Sequence, residues 1–133
     1  LGITALKLGA KEVKGTDLDE NAIVAVGENL KANGIEPEQF QVMQGNILDD
    51  PTVQQWAGFG CYDVAVANIL ADVIIPLVDE IPVHLKKGGI FISSGIINLK
   101  EQAVLEAFSR NQELEVTEVT RQGEWVSVTA RRK

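Results

Sequence analysis

Tyr62-Asp63-Val64-Ala65-Val66-Ala67-Asn68-Ile69-Leu70-Ala71 is the stretch whose reading decides the fold. Val64 to Ala67, and then Ile69 and Leu70, are six uncharged apolar residues around one amide. A continuous run of this kind suits a central strand covered on both faces, as in a parallel sheet. Asn68 then stands at the carboxyl end of the strand, the end at which open α/β sheets bind their ligands. An amide there is expected to be buried, and a buried amide without a partner costs about 1–3 kcal/mol. Asn68 therefore either caps the helix that follows or meets a ligand.

Working outward from it, the chain alternates strands and helices. Residues 1 to 8 read as the body of a helix without an N-cap, followed by Gly9 as its stop. A natural domain rarely opens in mid-helix, so an upstream segment is expected to be missing. Glu12 to Thr16 reads as a strand ending at Asp17, and Asp19 caps a helix from Glu20 to Asn33 with Ile23, Val26 and Leu30 inward. Phe40 to Met43 is the next strand and runs into Gln44-Gly45-Asn46. Asp50-Pro51 opens a short helix through Trp56.

Beyond Asn68 a helix is expected to run to about Leu85; either it begins at Pro76 or it is kinked, with a break near Pro76 or Pro82. Lys86-Lys87-Gly88-Gly89 reads as a tight turn into the strand Ile90 to Ser94. Asn98 is the candidate cap of a helix from Leu99 to Asn111, with Val104, Leu105 and Phe108 inward. Glu115 to Thr120 and Glu124 to Ala130 alternate apolar and polar residues around Gln122-Gly123, which makes an antiparallel hairpin. The order gives an α/β fold: a doubly wound, mostly parallel sheet with a C-terminal antiparallel hairpin. Residues 1–133 form a single domain in this reading, incomplete at its N-terminal side.

Composition narrows the function. The chain has 133 residues, 45% hydrophobic and 23% charged, which is globular and leaves room for one ordinary core. One cysteine excludes an internal disulfide framework and fits a reducing cytoplasm. No stretch approaches the roughly 20 apolar residues of a membrane span. The formal net charge is −7, and its few basic residues are scattered apart from Arg131-Arg132-Lys133, the wrong balance for nucleic acid. An acidic surface suits a basic partner such as a lysine-bearing protein.

Three positions carry potential chemistry. Asp17 is an acid at a strand's carboxyl end, where dinucleotide-type folds hold ribose hydroxyls about 20 residues after a glycine-rich loop. Counting back places such a loop before Leu1. Asp17 equally serves as the start of a turn with Asp19. Asn46 ends the next strand, where an amide can meet an adenine edge with Ile47 against the ring, although Gly-Asn is also a favoured turn pair. Asn68 is the third. His84, the only histidine, reads as solvated beside Lys86 and Lys87, and Trp56 and Trp125 read as packing residues. With one His and one Cys there is no metal cluster and no Cys-His dyad. Glu28 and Asp72 are acids without a partner at any telling spacing.

Asp17, Asn46 and Asn68 end three successive strands, a pattern that resembles the class I methyltransferases using S-adenosylmethionine. More narrowly, Leu6-Lys7-Leu8-Gly9-Ala10, Ala67-Asn68-Ile69-Leu70-Ala71, Ser94-Gly95-Ile96 and Gly123-Glu124-Trp125-Val126 resemble the ribosomal protein L11 methyltransferases, from Leu1 to about Arg132. The resemblance implies a Rossmann-like methyltransferase fold whose first strand and glycine-rich loop are missing from this chain. It implies methyl transfer from S-adenosylmethionine, leaving S-adenosylhomocysteine, to lysine ε-amines and an N-terminal α-amine of a large-subunit ribosomal protein in the cytoplasm. By the same analogy Asp17 and Leu18 hold the ribose, Asn46 and Ile47 border the adenine, Asn68 lies between cofactor and methyl acceptor as the catalytic residue, and Ile69 and Leu70 line the substrate side.

Other readings stay open at this point. A nucleic-acid amino-methyltransferase also places Asn after this strand, but it ordinarily follows it with an aromatic that stacks on a flipped base. A small amine is a further acceptor for the same chemistry. An NAD-dependent Rossmann oxidoreductase would use Asp17 and leave Asn68 and the terminal hairpin without a role. A binding module that keeps the fold without activity is the non-enzymatic alternative.

Overall fold

The computed structural model describes residues 1–133. The chain divides into two compact units, Leu1–Ala57 and Gly58–Lys133. In the first unit the order is α1 (Gly2–Lys7), β1 (Val13–Asp17), α2 (Glu20–Ala32), β2 (Phe40–Gln44) and α3 (Pro51–Ala57). Strands β1 and β2 pair in parallel from Val13 opposite Phe40 to Asp17 opposite Gln44. Because parallel strands need a crossover, the intervening residues must supply a helix, and they do so with clear signals. The Asp19 carboxylate accepts the Asn21 N–H at 2.9 Å, and Glu20 adds negative charge at the first turn of α2. Ile23, Val26 and Leu30 are half-buried, as their spacing anticipates. The Asp50 carboxylate likewise accepts the Thr52 N–H at 2.9 Å to start α3 at Pro51. Lys14 ties β1 to the end of α3 by donating to the Trp56 carbonyl at 2.8 Å while its ammonium lies 5.0 Å from the Trp56 ring centre.

The second unit contains β3 (Tyr62–Asn68), α4 (Ala71–Glu80), β4 (Leu85–Ile97), α5 (Glu101–Arg110), β5 (Leu114–Gln122) and β6 (Trp125–Arg132). Its sheet has the order β3-β4-β6-β5. The β3/β4 pair is parallel, and the β4/β6 and β6/β5 pairs are antiparallel. The alternating α/β order, the parallel pairs and the closing hairpin are those expected, with the parallel pairs falling in two separate sheets. Phe91, Ile96, Val126, Val128 and Ala130 of this sheet are buried together with Ile74, Val78, Val104 and Phe108 of α4 and α5. The Phe91 and Phe108 rings meet at 5.9 Å between centres. Each such large side chain contributes about 1.5–3 kcal/mol on leaving water, so this is the main stabilising cluster of the unit.

Several expectations are corrected. β3 is an edge strand with β4 as its one partner, and Val64 and Val66 are 51% and 48% exposed. Its apolar run is therefore not covered on both faces within this chain. The helix after Asn68 does not begin at Pro76, which is accommodated inside α4, and it stops at Glu80 short of Leu85; the expected break falls at Pro82, where Ile81–Val83 tightens into a 3-10 turn. Lys86 to Gly89 is no isolated turn but an irregularity within β4, where the register shifts between Tyr62 opposite Leu85 and Val64 opposite Ile90. Asn98 does not cap α5; it begins a 3-10 turn, its N–H donates to the Glu124 carbonyl at 2.7 Å, and Lys100 precedes the helix without a side-chain cap.

His84 is also not solvated. It is only 5% exposed, with Nδ1 2.6 Å from the Gly58 carbonyl oxygen and Nε2 3.1 Å from Glu80 Oε1. The Phe59 ring stacks on it at 5.3 Å, so the loop before β3 closes over the imidazole. Trp125 is 57% exposed rather than packed. No helix is long and apolar enough to cross a membrane.

Candidate functional site

The rim of the first unit is built from two strand ends. Parallel pairing sets the carboxyl ends of β1 and β2 side by side, with Asp17 opposite Gln44. The chain stays joined beyond the last ladder pair, since the Gly45 N–H donates to the Asp17 carbonyl at 2.9 Å and the Gln44 side-chain amide donates to the Leu18 carbonyl at 3.3 Å. Asp17-Leu18 and Asn46-Ile47 are thereby neighbours. Asp17 Oδ1 accepts the Asp19 N–H at 3.0 Å, which fixes the carboxylate and leaves its second oxygen to the solvent. Asn46 Oδ1 accepts the Leu48 N–H at 3.0 Å, so its NH₂ group is the part left to donate. Leu18 is exposed and Ile47 half-buried.

The turn readings of Asp17 and Asn46 are thus both correct, and each turn bond also fixes a polar side chain at the rim. A carboxylate oxygen suits a pair of ribose hydroxyls, and an amide NH₂ beside an apolar side chain suits the acceptor nitrogens and face of a purine. This donor set fits an adenosyl group. A depression of about 500 Å³ in this unit is lined by Leu30, Ile35, Pro37 and Phe40 among others. Phe40 opens β2, so that depression lies at the amino end of the strands and not at the rim.

In the second unit Asn68 is the last residue of β3 and pairs with Ser94 of β4. It is exposed rather than buried, because its strand lies at the sheet edge. The helix-capping reading fails: Leu70 is the residue before α4, and no side chain caps that helix. Ile69 is held by its N–H, which donates to the Ser94 carbonyl at 3.3 Å. Gly95, with φ +76°, turns the chain so closely past Asn68 that a Cβ there would stand 2.6 Å from Asn68 Oδ1. Leu70 is exposed and Ile69 partly so. Asp72 faces Lys100 across 3.7 Å with both side chains in solvent, an ordinary surface pair and no acid-base group.

Sequence reasoning missed the surroundings of Asn68. A depression of about 200 Å³ begins at Ser94-Gly95 and is lined further by Thr120, Gln122, Trp125 and Ser127. It is smaller than the roughly 300–1,000 Å³ of pockets for drug-sized ligands. Ser94-Gly95 and Trp125 belong to the short blocks already singled out, but contacts between residues so far apart in the chain leave no spacing signal.

Comparison with known proteins follows the same lines. The family model described as ribosomal protein L11 methyltransferase (PrmA) matches residues 1–133. A ribosomal protein L11 methyltransferase of Lachnospira eligens is 53% identical over 133 residues, which is 100% of this chain and 42% of that protein. Its counterpart from Agathobacter rectalis is 48% identical over 132 residues, 99% of this chain and 41% of that protein. The chain thus spans about two fifths of the length of these curated relatives. Among solved structures, ribosomal protein L11 methylase from Lactobacillus delbrueckii subsp. bulgaricus superposes with a TM-score of 0.84 at 32% identity, over 98% of this chain and 63% of that one. A geranyl diphosphate methyltransferase solved in complex with SAM shares the fold alone, at a TM-score of 0.77 and 14% identity. With a family model matched from its first residue to its last, the chain belongs to the ribosomal protein L11 methyltransferase family.

Proposed function

We propose that the protein containing this chain transfers methyl groups from S-adenosylmethionine to lysine ε-amines and the N-terminal α-amine of ribosomal protein L11. The observation that carries this reading is an unengaged amide, Asn68, at the end of a strand in a chain whose whole length matches the family. The methyl donor supplies an already activated sulfonium carbon. The protein's task is then to present a neutral amine in line with it, for which no dedicated base is required.

In this account Asp17 and Leu18 hold the ribose, and Asn46 and Ile47 border the adenine. Asn68 Oδ1 and the Ile69 carbonyl accept the two hydrogens of the incoming amine and aim its lone pair. Ile69 and Leu70 line the approach. As the nitrogen–carbon bond forms, the carbon–sulfur bond breaks and the amine's surplus proton leaves to solvent. Lysine must arrive unprotonated, and a site that excludes water favours its neutral form.

The net charge of −7 suits a lysine-rich substrate and disfavours a nucleic acid. We further propose that residues 1–133 belong to one catalytic domain of a cytoplasmic enzyme. The test is incubation of the complete protein with labelled S-adenosylmethionine and purified ribosomal protein L11, followed by mass spectrometry of the product. Added methyl groups on lysines and the N-terminus are expected. No incorporation into ribosomal protein L11 would overturn the assignment.

A further inference from the structure

In the second unit Gly95 stands close against Asn68, a residue 27 positions earlier in the chain. A Cβ at position 95 would stand 2.6 Å from Asn68 Oδ1, 3.1 Å from the Ile69 carbonyl oxygen and 3.3 Å from the Ile69 nitrogen. Those two oxygens are the acceptors assigned above to the methylated amine. The backbone on the other side is fixed as well, since Ser94 pairs with Asn68 in the β3/β4 ladder and accepts the Ile69 N–H at 3.3 Å. The bare α-carbon of Gly95 thus stands directly against the Asn68 side chain.

We propose that Gly95 is a positioning residue of the methyl-acceptor site: its lack of a side chain leaves room for Asn68 Oδ1 and the Ile69 carbonyl oxygen to stand where they do. The inference rests on the reading of Asn68 given above. Two requirements coincide at this position. The φ of +76° is one that residues with a side chain rarely adopt, and the space a methyl group would need is already filled by Asn68 and Ile69. Gly88, in the same strand, separates the two: its φ is +82°, but a Cβ there meets nothing within 4 Å. A substitution at Gly88 therefore carries the backbone strain without the collision.

The experiment compares Gly95→Ala, Gly88→Ala, Asn68→Ala and the double variant Asn68→Ala/Gly95→Ala in the complete protein. It measures kcat and KM on ribosomal protein L11, affinity for S-adenosylhomocysteine, and Tm. Gly95→Ala is expected to lower kcat on the order of 100-fold, the scale of an ångström's misplacement at a reacting centre. Its affinity for S-adenosylhomocysteine should stay within about 3-fold. Gly88→Ala should lose less Tm than Gly95→Ala, because it lacks the collision, and should keep its kcat. In the double variant the Gly95 change should add little to the Asn68 change, because both act through one group.

Equal kcat for the Gly95 and Gly88 variants, with Asn68→Ala still impaired, would overturn this inference and leave the proposed function standing. Full turnover by Asn68→Ala would overturn both. If Gly95→Ala does not fold, the double variant, which lacks the colliding oxygen, should melt higher than Gly95→Ala. No recovery would count against the contact.

Discussion

The backbone N–H of Gly45 donates to the carbonyl oxygen of Asp17 at 2.9 Å, joining the ends of β1 and β2 one residue beyond their last ladder pair. That bond makes the rim a property of the backbone, independent of the side chains mounted on it. Removing the Asp17 carboxylate should therefore remove the proposed ribose contact without disturbing the strands.

Asp17→Ala in the complete protein is expected to weaken S-adenosylhomocysteine binding by about 10- to 150-fold, the equivalent of one hydrogen bond to a charged group at about 1.5–3 kcal/mol. Its Tm should hardly move, because the side chain is exposed and its one internal bond is to the Asp19 N–H. Isothermal titration calorimetry paired with a thermal melt reads both quantities. Unchanged affinity would remove Asp17 from the cofactor site.

His84 gives a prediction of the opposite kind, on stability alone. Its ring is buried between the Gly58 carbonyl, Glu80 and the Phe59 ring. His84→Ala leaves a buried carbonyl without its donor and opens a void, so a loss of about 2–4 kcal/mol is expected. Urea unfolding measures it, and a loss under about 0.5 kcal/mol would be that of a surface substitution.

The pairing of α5 with β5 should show in acid. Arg121 Nε and Nη2 donate to the two oxygens of Glu101 at 2.6 and 2.9 Å. The hydrogen bond from Arg121 and, to a lesser degree, its charge hold the Glu101 carboxyl below its ordinary value of 4.5. A folded-state value below the unfolded one means the contribution is present above 4.5 and is lost as pH falls through the lower, folded value. Glu101→Gln should therefore have a lower Tm than the parent protein at pH 7. The gap should close as the pH is taken below 4.5, as followed by calorimetry at stepped pH. A gap that is constant across that range would contradict the pairing.

How much was legible in advance divides along a physical line. Asp17, Asp19, Asn46 and Asp50 were readable because strand ends and helix starts are local events, set by residues two or three apart. The hairpin at Gln122-Gly123 was readable for the same reason. β3 was misread because apolar composition records what Val64 and Val66 tolerate, while their exposure depends on which strands lie beside them. His84 looked solvated because its lysine neighbours are adjacent in sequence, whereas the loop that buries it starts at Gly58. Asn98 resembled a cap, but its N–H is taken by Glu124 from the hairpin. The site of Asn68 was half legible: its strand-end position is local, but Gly95 and the Trp125 depression are brought near it only by sheet pairing.

The central claim is that Asn68 serves the reacting amine more than the cofactor. It is tested most directly by Asn68→Ala in the complete protein, with methyl transfer to ribosomal protein L11 and S-adenosylhomocysteine affinity measured on the same preparation. The account predicts turnover lowered on the order of 100-fold, the cost of losing one preorganised polar group at a reacting centre, with affinity within about 3-fold of the parent protein. Turnover equal to that of the parent protein would contradict it.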